Sequence, residues 1–170
     1  MNNKFQQEFI KESIYRINES TQRVLKCLNE IDEIELWKKP NEHSNSIGNI
    51  VLHLCGNIRQ YIISSLGQVE DIRERDKEFS ADEAFKKSEL LTKLQQTINE
   101  AITVMEGLDE LALAKLYLVQ GFQLSGIGIV IHVTEHFSYH TGQIAFWVKL
   151  LRNTDLGFYQ NINLNVKNKN

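Results

Sequence analysis

Ile10, Ile17, Val24 and Ile31 fall seven residues apart, and Ile14, Thr21 and Leu28 form the adjacent seam. A stripe of this period marks a helix packed against others, and it predicts a first helix over residues 4–31. Residues 35–46 carry Pro40 among Asn, His and Ser; they read as irregular chain ending in Ser46, a good N-cap. A second helix follows, with core positions Ile47, Val51, Leu54, Ile58 and Tyr61 and a stop at Gly67. Residues 70–80, EDIRERDKEFS, mix both charge signs with little apolar content and predict a solvated loop. A third helix starts at Ser80 with Glu83, or at Ser88, and closes at Gly107; Leu91, Leu94, Ile98, Ile102 and Met105 have its spacing. Between Asp109 and Leu124 the alternation is partial and Gly121 interrupts it, which predicts a connector with some extended character. Ser125 then caps a fourth helix of about 27 residues, roughly 40 Å long at about 1.5 Å per residue.

A single Pro in 170 residues agrees with this count of long helices. The expected architecture is all-α, a four-helix bundle over one domain, 1–170, with an irregular or short extended connector before the last helix. Hydrophobic content of 42% and charged content of 24% fit a globular chain and exclude a disordered one. The net charge of -3 provides no basic field to neutralise phosphates, so nucleic acid is excluded as the main partner. Scattered charges in MNNKFQQEFIKESIYRINES argue against a signal peptide. The apolar run from Ile127 to Leu151 includes His132, Glu135, His136, His140, Gln143 and Lys149 and reads as a buried helix, not a membrane span. Cys27 and Cys55 have no CxxC spacing and are expected as reduced, buried thiols, which places the chain in the cytoplasm.

The candidate chemistry lies in the histidines. His132, His136 and His140 stand at successive i, i+4 positions of the fourth helix. Side chains four apart share a face about 6 Å apart, and two imidazoles so placed can meet one metal ion at about 2.0–2.1 Å. Each step of four drifts about 40° around the helix, so three in a row cannot all reach one ion and one of them does something else. His53 is the candidate third ligand because it is the other histidine within a predicted helix, on a face with Asn49, Ile50 and Asn57. The alternative is that the i, i+4 pair consists of packed core or surface residues. HVTEH, from His132 to His136, also matches the HxxEH order of inverted zinc peptidases, with Glu135 as base. Those enzymes need a further acidic ligand well downstream, and the chain ends at residue 170. Gln143, a turn beyond His140, is expected to orient a ligand, in preference to Glu135; His132 is expected behind the ligands or in the core. Cys55 reads as a core thiol and His43 as solvated.

NSIGNIVLHLCGNIRQYI (Asn45–Ile62) and HVTEHFSYHTGQI (His132–Ile144) closely resemble the DinB/YfiT-like superfamily, within it a branch of small bacterial bundle proteins of undetermined activity. The resemblance extends to Leu36-Trp37 followed by Pro40, to DIRERDKEF and to KLLRNTDLGFY, and so covers most of the chain. It implies a bundle with an up-down-down-up course and a divalent metal, zinc or nickel, held by three histidines that fall here on His53, His136 and His140. His132, Gln143 and Asn57 are then the expected surroundings of the ligands. The resemblance also implies transfer of a low-molecular-weight thiol such as bacillithiol or mycothiol to an electrophile, or metal-dependent hydrolysis on the same site. The expected partner is a small-molecule substrate, with no nucleic acid or membrane, and a homodimer is left open. A structural metal, or binding without turnover, is the competing class; open coordination positions argue against it, because structural zinc sites close with four protein ligands.

Overall fold

A computed structural model of the chain describes residues 4–82 and 85–168. The first stripe forms α1 (Lys4–Asn29) and buries Ile10, Ile17, Val24 and Leu28. The helix stops at Asn29, short of the expected residue 31, because Asp32 starts a new helix, α2 (Glu33–Trp37). The Glu35 amide donates to Asp32 Oδ1 (2.9 Å) and the Asp32 amide to Glu35 Oε2 (3.0 Å), a reciprocal cap. The irregular chain expected from residue 35 is therefore helical as far as Trp37, and Leu36 is fully buried.

Ser46 caps α3 (Ile47–Ile58), as expected, and every residue of α3 except Gly56 is buried. The helix continues as a π-helical run, Arg59–Leu66. Its wider register shows in the Gly67 amide donating to Ile62 O (3.0 Å) and the Ser65 hydroxyl to Gln60 O (2.9 Å). Gly67 ends the run with an ordinary φ of -79°, and the left-handed conformation falls on Gln68 (φ 56°).

The expected loop over 70–80 is corrected: Arg75–Ser80 form a short helix, α4, packed on α3, and Glu78 is buried. Ser80 ends α4 and does not open the next helix; Glu83, its expected capping partner, lies outside the described residues. That helix, α5 (Lys87–Glu106), starts where Glu89 Oε2 accepts from the Lys86 amide (2.7 Å), with Ser88 in its first turn. Leu90, Leu94, Ile98, Ala101 and Met105 form its buried face, while Leu91 and Ile102 are half-buried beside it.

The expected connector resolves into α6 (Glu110–Ala114) and an antiparallel hairpin of β1 (Leu116–Val119) and β2 (Phe122–Ser125). Gln120 and Gly121 at its tip both have positive φ, 52° and 83°, the two-residue turn whose twist suits a hairpin. Ser125 then caps α7 (Gly126–Arg152), which has the expected 27 residues. The fold is thus mostly helical with one short sheet. In the packing, α7 lies against α1 and α3, while α5 lies against α3 and α1, so α3 sits between α5 and α7. Cys27 and Cys55 are free thiols in the core. Among the described residues, no helix is long and apolar enough to cross a membrane.

Candidate metal centre

The contact of α3 with α7 brings His53 opposite His136 and His140. One ring nitrogen from each lies within 4.8 Å of the others, and among the described residues no fourth His, Cys, Asp or Glu completes such a group. The ring centroids are 4.9 Å apart for His53 and His136, 5.1 Å for His53 and His140, and 4.5 Å for His136 and His140.

Each ring nitrogen has a distinct environment. His53 Nε2 is 3.0 Å from His136 Nε2, and His53 Nδ1 is 2.9 Å from Glu78 Oε2. Arg73 clasps the same carboxylate from α4's approach, Nε donating to Oε1 (2.7 Å) and Nη2 to Oε2 (2.9 Å). Burial pushes the Glu78 carboxyl up, but hydrogen bonds from Arg73 and His53 outweigh it and hold it below the usual carboxylate range. His140 Nδ1 is 2.7 Å from Gln143 Oε1, the place expected for Gln143, and this leaves Nε2 of His140 facing the group. His136 Nδ1 is buried and has no hydrogen-bond partner. Burial, then the neighbouring His140, His132 and His53, lowers His136 to about 3, so its ring is neutral and has a lone pair to offer.

This donor set fits a divalent ion. With Nδ1–H of His53 donated to Glu78, its Nε2 is an acceptor, so the 3.0 Å contact with His136 needs either a proton on His136 Nε2 or a cation between the rings. Two nitrogens 3.0 Å apart suit ligation of one ion at about 2.0–2.1 Å each.

His132 stands outside the group. Its ring stacks on Tyr61 (4.3 Å, 26°), its Nε2 is 3.3 Å from Asn57 Nδ2, and burial holds it below the ordinary imidazole value. Asn57 therefore serves His132, not the three grouped rings. Tyr61 belongs to the π-helical run and donates to Gln120 Oε1 (3.0 Å), linking the hairpin tip to this corner. His43 is exposed in the loop, as expected, and Cys55 is enclosed. A depression of about 290 Å³, lined by His132, Glu135, His136, Tyr139 and His140, opens beside the rings. A larger groove of about 740 Å³ between α1 and α7 shares Glu135 with it.

Sequence reasoning missed Arg73 and Glu78, because a mixed charge run ordinarily faces water. The available signal was Gly56, an isolated glycine inside a helix and one turn beyond His53, a sign of something packed closely on that face.

A comparison with curated proteins finds no match. Solved structures do match. A conserved protein from Enterococcus faecalis is 12% identical, covers 85% of this chain and 97% of its own, and has a TM-score of 0.72. A DinB-like protein of Bacillus subtilis, YjoA, is 15% identical over 85% of this chain and 94% of its own, with a TM-score of 0.66. A mycothiol-dependent maleylpyruvate isomerase is 12% identical over 79% of this chain, with a TM-score of 0.64; the match spans 60% of that protein. At these identities the likeness concerns the fold. The family model described as protein of unknown function (DUF1572) matches residues 4–163; the chain belongs to this family, and its fold is that of DinB-like proteins.

Proposed function

We propose that the chain is a metal-dependent enzyme that transfers a low-molecular-weight thiol to an electrophile at a divalent ion, zinc or nickel, held by His53, His136 and His140. The observation that carries this reading is the ligand count: three imidazoles from two helices converge beside an open depression with no fourth protein ligand among the described residues. A structural site would be closed. A divalent ion in such a site favours the thiolate form of a bound thiol and stabilises negative charge developing on an electrophile.

The chain's own residues bind, orient and enclose. Glu78 and Gln143 each occupy the second nitrogen of a ligand ring and so fix which nitrogen faces the site. Tyr139 and Glu135 edge the depression, and the α1/α7 groove extends it for the body of a substrate. The protein does not supply the thiol: burial pushes Cys27 up to about 11 and Cys55 up to about 12, and both stay protonated in the core. An exogenous thiol fits this division of labour, and a mycothiol-dependent enzyme shares the fold. The contacts of α1 with α7, α7 with α3, α3 with α5 and α5 with α1 close a ring that supports a four-helix bundle, for which the family resemblance implies an up-down-down-up course.

The test is to load the protein with cobalt, add small thiols, look for thiolate-to-metal charge-transfer absorption, and then assay transfer to an electrophilic fluorophore. Absorption with turnover is the expected result. No spectral change across several thiols overturns thiol transfer and favours hydrolysis on the same site.

A further inference from the structure

Glu78 is the most buried residue of the mostly charged and exposed 70–80 segment, and three features of the fold converge to put its carboxylate against His53. The Asn49 side chain, on the first turn of α3, donates to Glu78 O (3.0 Å) and Ala81 O (2.7 Å), pinning α4 across the helix. Gly56 has no side chain where α4 crosses; a Cβ there would overlap Glu78 Oε1. Arg73, its side chain 3% exposed, holds both carboxylate oxygens.

A carboxylate gripped by a guanidinium at both oxygens is an anion that only accepts hydrogen bonds. At 2.9 Å from Glu78 Oε2, His53 Nδ1 must then carry the proton, since two acceptors do not sit at that distance. The tautomer is thereby set, and Nε2 is left with its lone pair toward His136 and His140. Arg73 Nη2, 3.2 Å from Nδ1, sits there because both groups share Oε2.

We propose that Glu78, seated by Arg73, Asn49 and Gly56, is a positioning residue that fixes His53 as the Nδ1–H tautomer and so ties the 70–81 segment to metal affinity. This rests on the three-histidine reading above but is separable from it, because the tautomer exists without metal.

Two variants test it. Glu78→Gln can turn its amide nitrogen toward the ring. Gly56→Ala touches no ligand, and Ala is the better helix former by about 1 kcal/mol, so a loss of metal affinity in it would come through the Glu78–Arg73 pair that its methyl meets. Its methyl displaces the end of a flexible side chain, so the fold survives while the carboxylate moves. Cobalt affinity, measured by chelator competition, is expected to fall about 10-fold or more in both variants with helical content retained. Nitrogen-15 NMR of the metal-free protein is expected to show His53 protonated at Nδ1 in the parent and a tautomer mixture in the variants. Unchanged affinity and an unchanged tautomer in both variants overturn the proposal. If the parent takes up no cobalt, zinc or nickel, the proposed function falls, and the tautomer alone decides: Nδ1–H lost in the variants upholds the positioning role, an Nε2–H ring in the parent overturns it.

Discussion

Replacing Asn49 with Ala removes the pin between α3 and the segment that carries Glu78. Asn49 is fully buried and its side chain takes part in four hydrogen bonds of 3.2 Å or shorter: it accepts from the Ser46 amide and hydroxyl and donates to Glu78 O and Ala81 O. At about 0.5–1.5 kcal/mol net each, these sum to about 2–6 kcal/mol, and the carbonyls left without donors keep the loss toward the upper half. Against a total stability of about 5–15 kcal/mol the fold survives, with a melting temperature lower by an amount on the order of 10 °C. Asn49→Asp keeps the accepting oxygen but aims a second acceptor at Glu78 O and Ala81 O, so it should be at least as damaging. Urea unfolding followed by circular dichroism measures both variants. A loss below about 1 kcal/mol for Asn49→Ala would refute the reasoning, because it would mean that water or a neighbour already satisfies these groups.

Three further outcomes follow from the same geometry. His140→Ala should abolish metal binding, whereas His132→Gln, at a ring that meets Tyr61, Asn57 and the edge of His136, should weaken it about 10-fold at most; equal losses by titration would make His132 a ligand. Saturation with metal should slow amide hydrogen exchange over residues 70–81, since a coupling of about 10-fold, or about 1.4 kcal/mol, acts equally in both directions; unchanged exchange with metal bound would deny the coupling. Cys27 and Cys55 should resist iodoacetamide at pH 8 in the native protein and react in denaturant. With thiols at about 11 and about 12 the thiolate fraction is minute and the sulfurs are enclosed, so rapid native labelling would contradict the core placement.

The helices that carry the site were legible because their evidence is local. Ser46 and Ser125 are caps that bond to the third amide beyond them, and the apolar stripes of α1 and α5 are periodic. His136, His140 and Gln143 share one helix, so their meeting is a matter of spacing. His53 required knowledge of how α3 and α7 pack, which the family resemblance provided and periodicity did not. The α2 cap was readable from Asp32 and Glu35 but was passed over for the pull of Pro40. Arg73 and Glu78 were not legible because nothing within EDIRERDKEFS says which charge is buried; Asn49 and Gly56, on a helix some twenty or more residues away, decide it. Tyr61 on His132 depends likewise on the π-helical run, for which the sequence offers no Pro or internal Gly.

The central claim is that His53, His136 and His140 together hold one ion. Elemental analysis of protein purified without chelator and dialysed against zinc or nickel, for the parent and for His136→Ala, tests it directly. The account predicts one divalent ion per chain in the parent, and a His136→Ala protein that keeps its helical circular dichroism but holds no metal, since the core around the site is apolar and does not need the ion. Full occupancy in His136→Ala, or an empty parent, would contradict it.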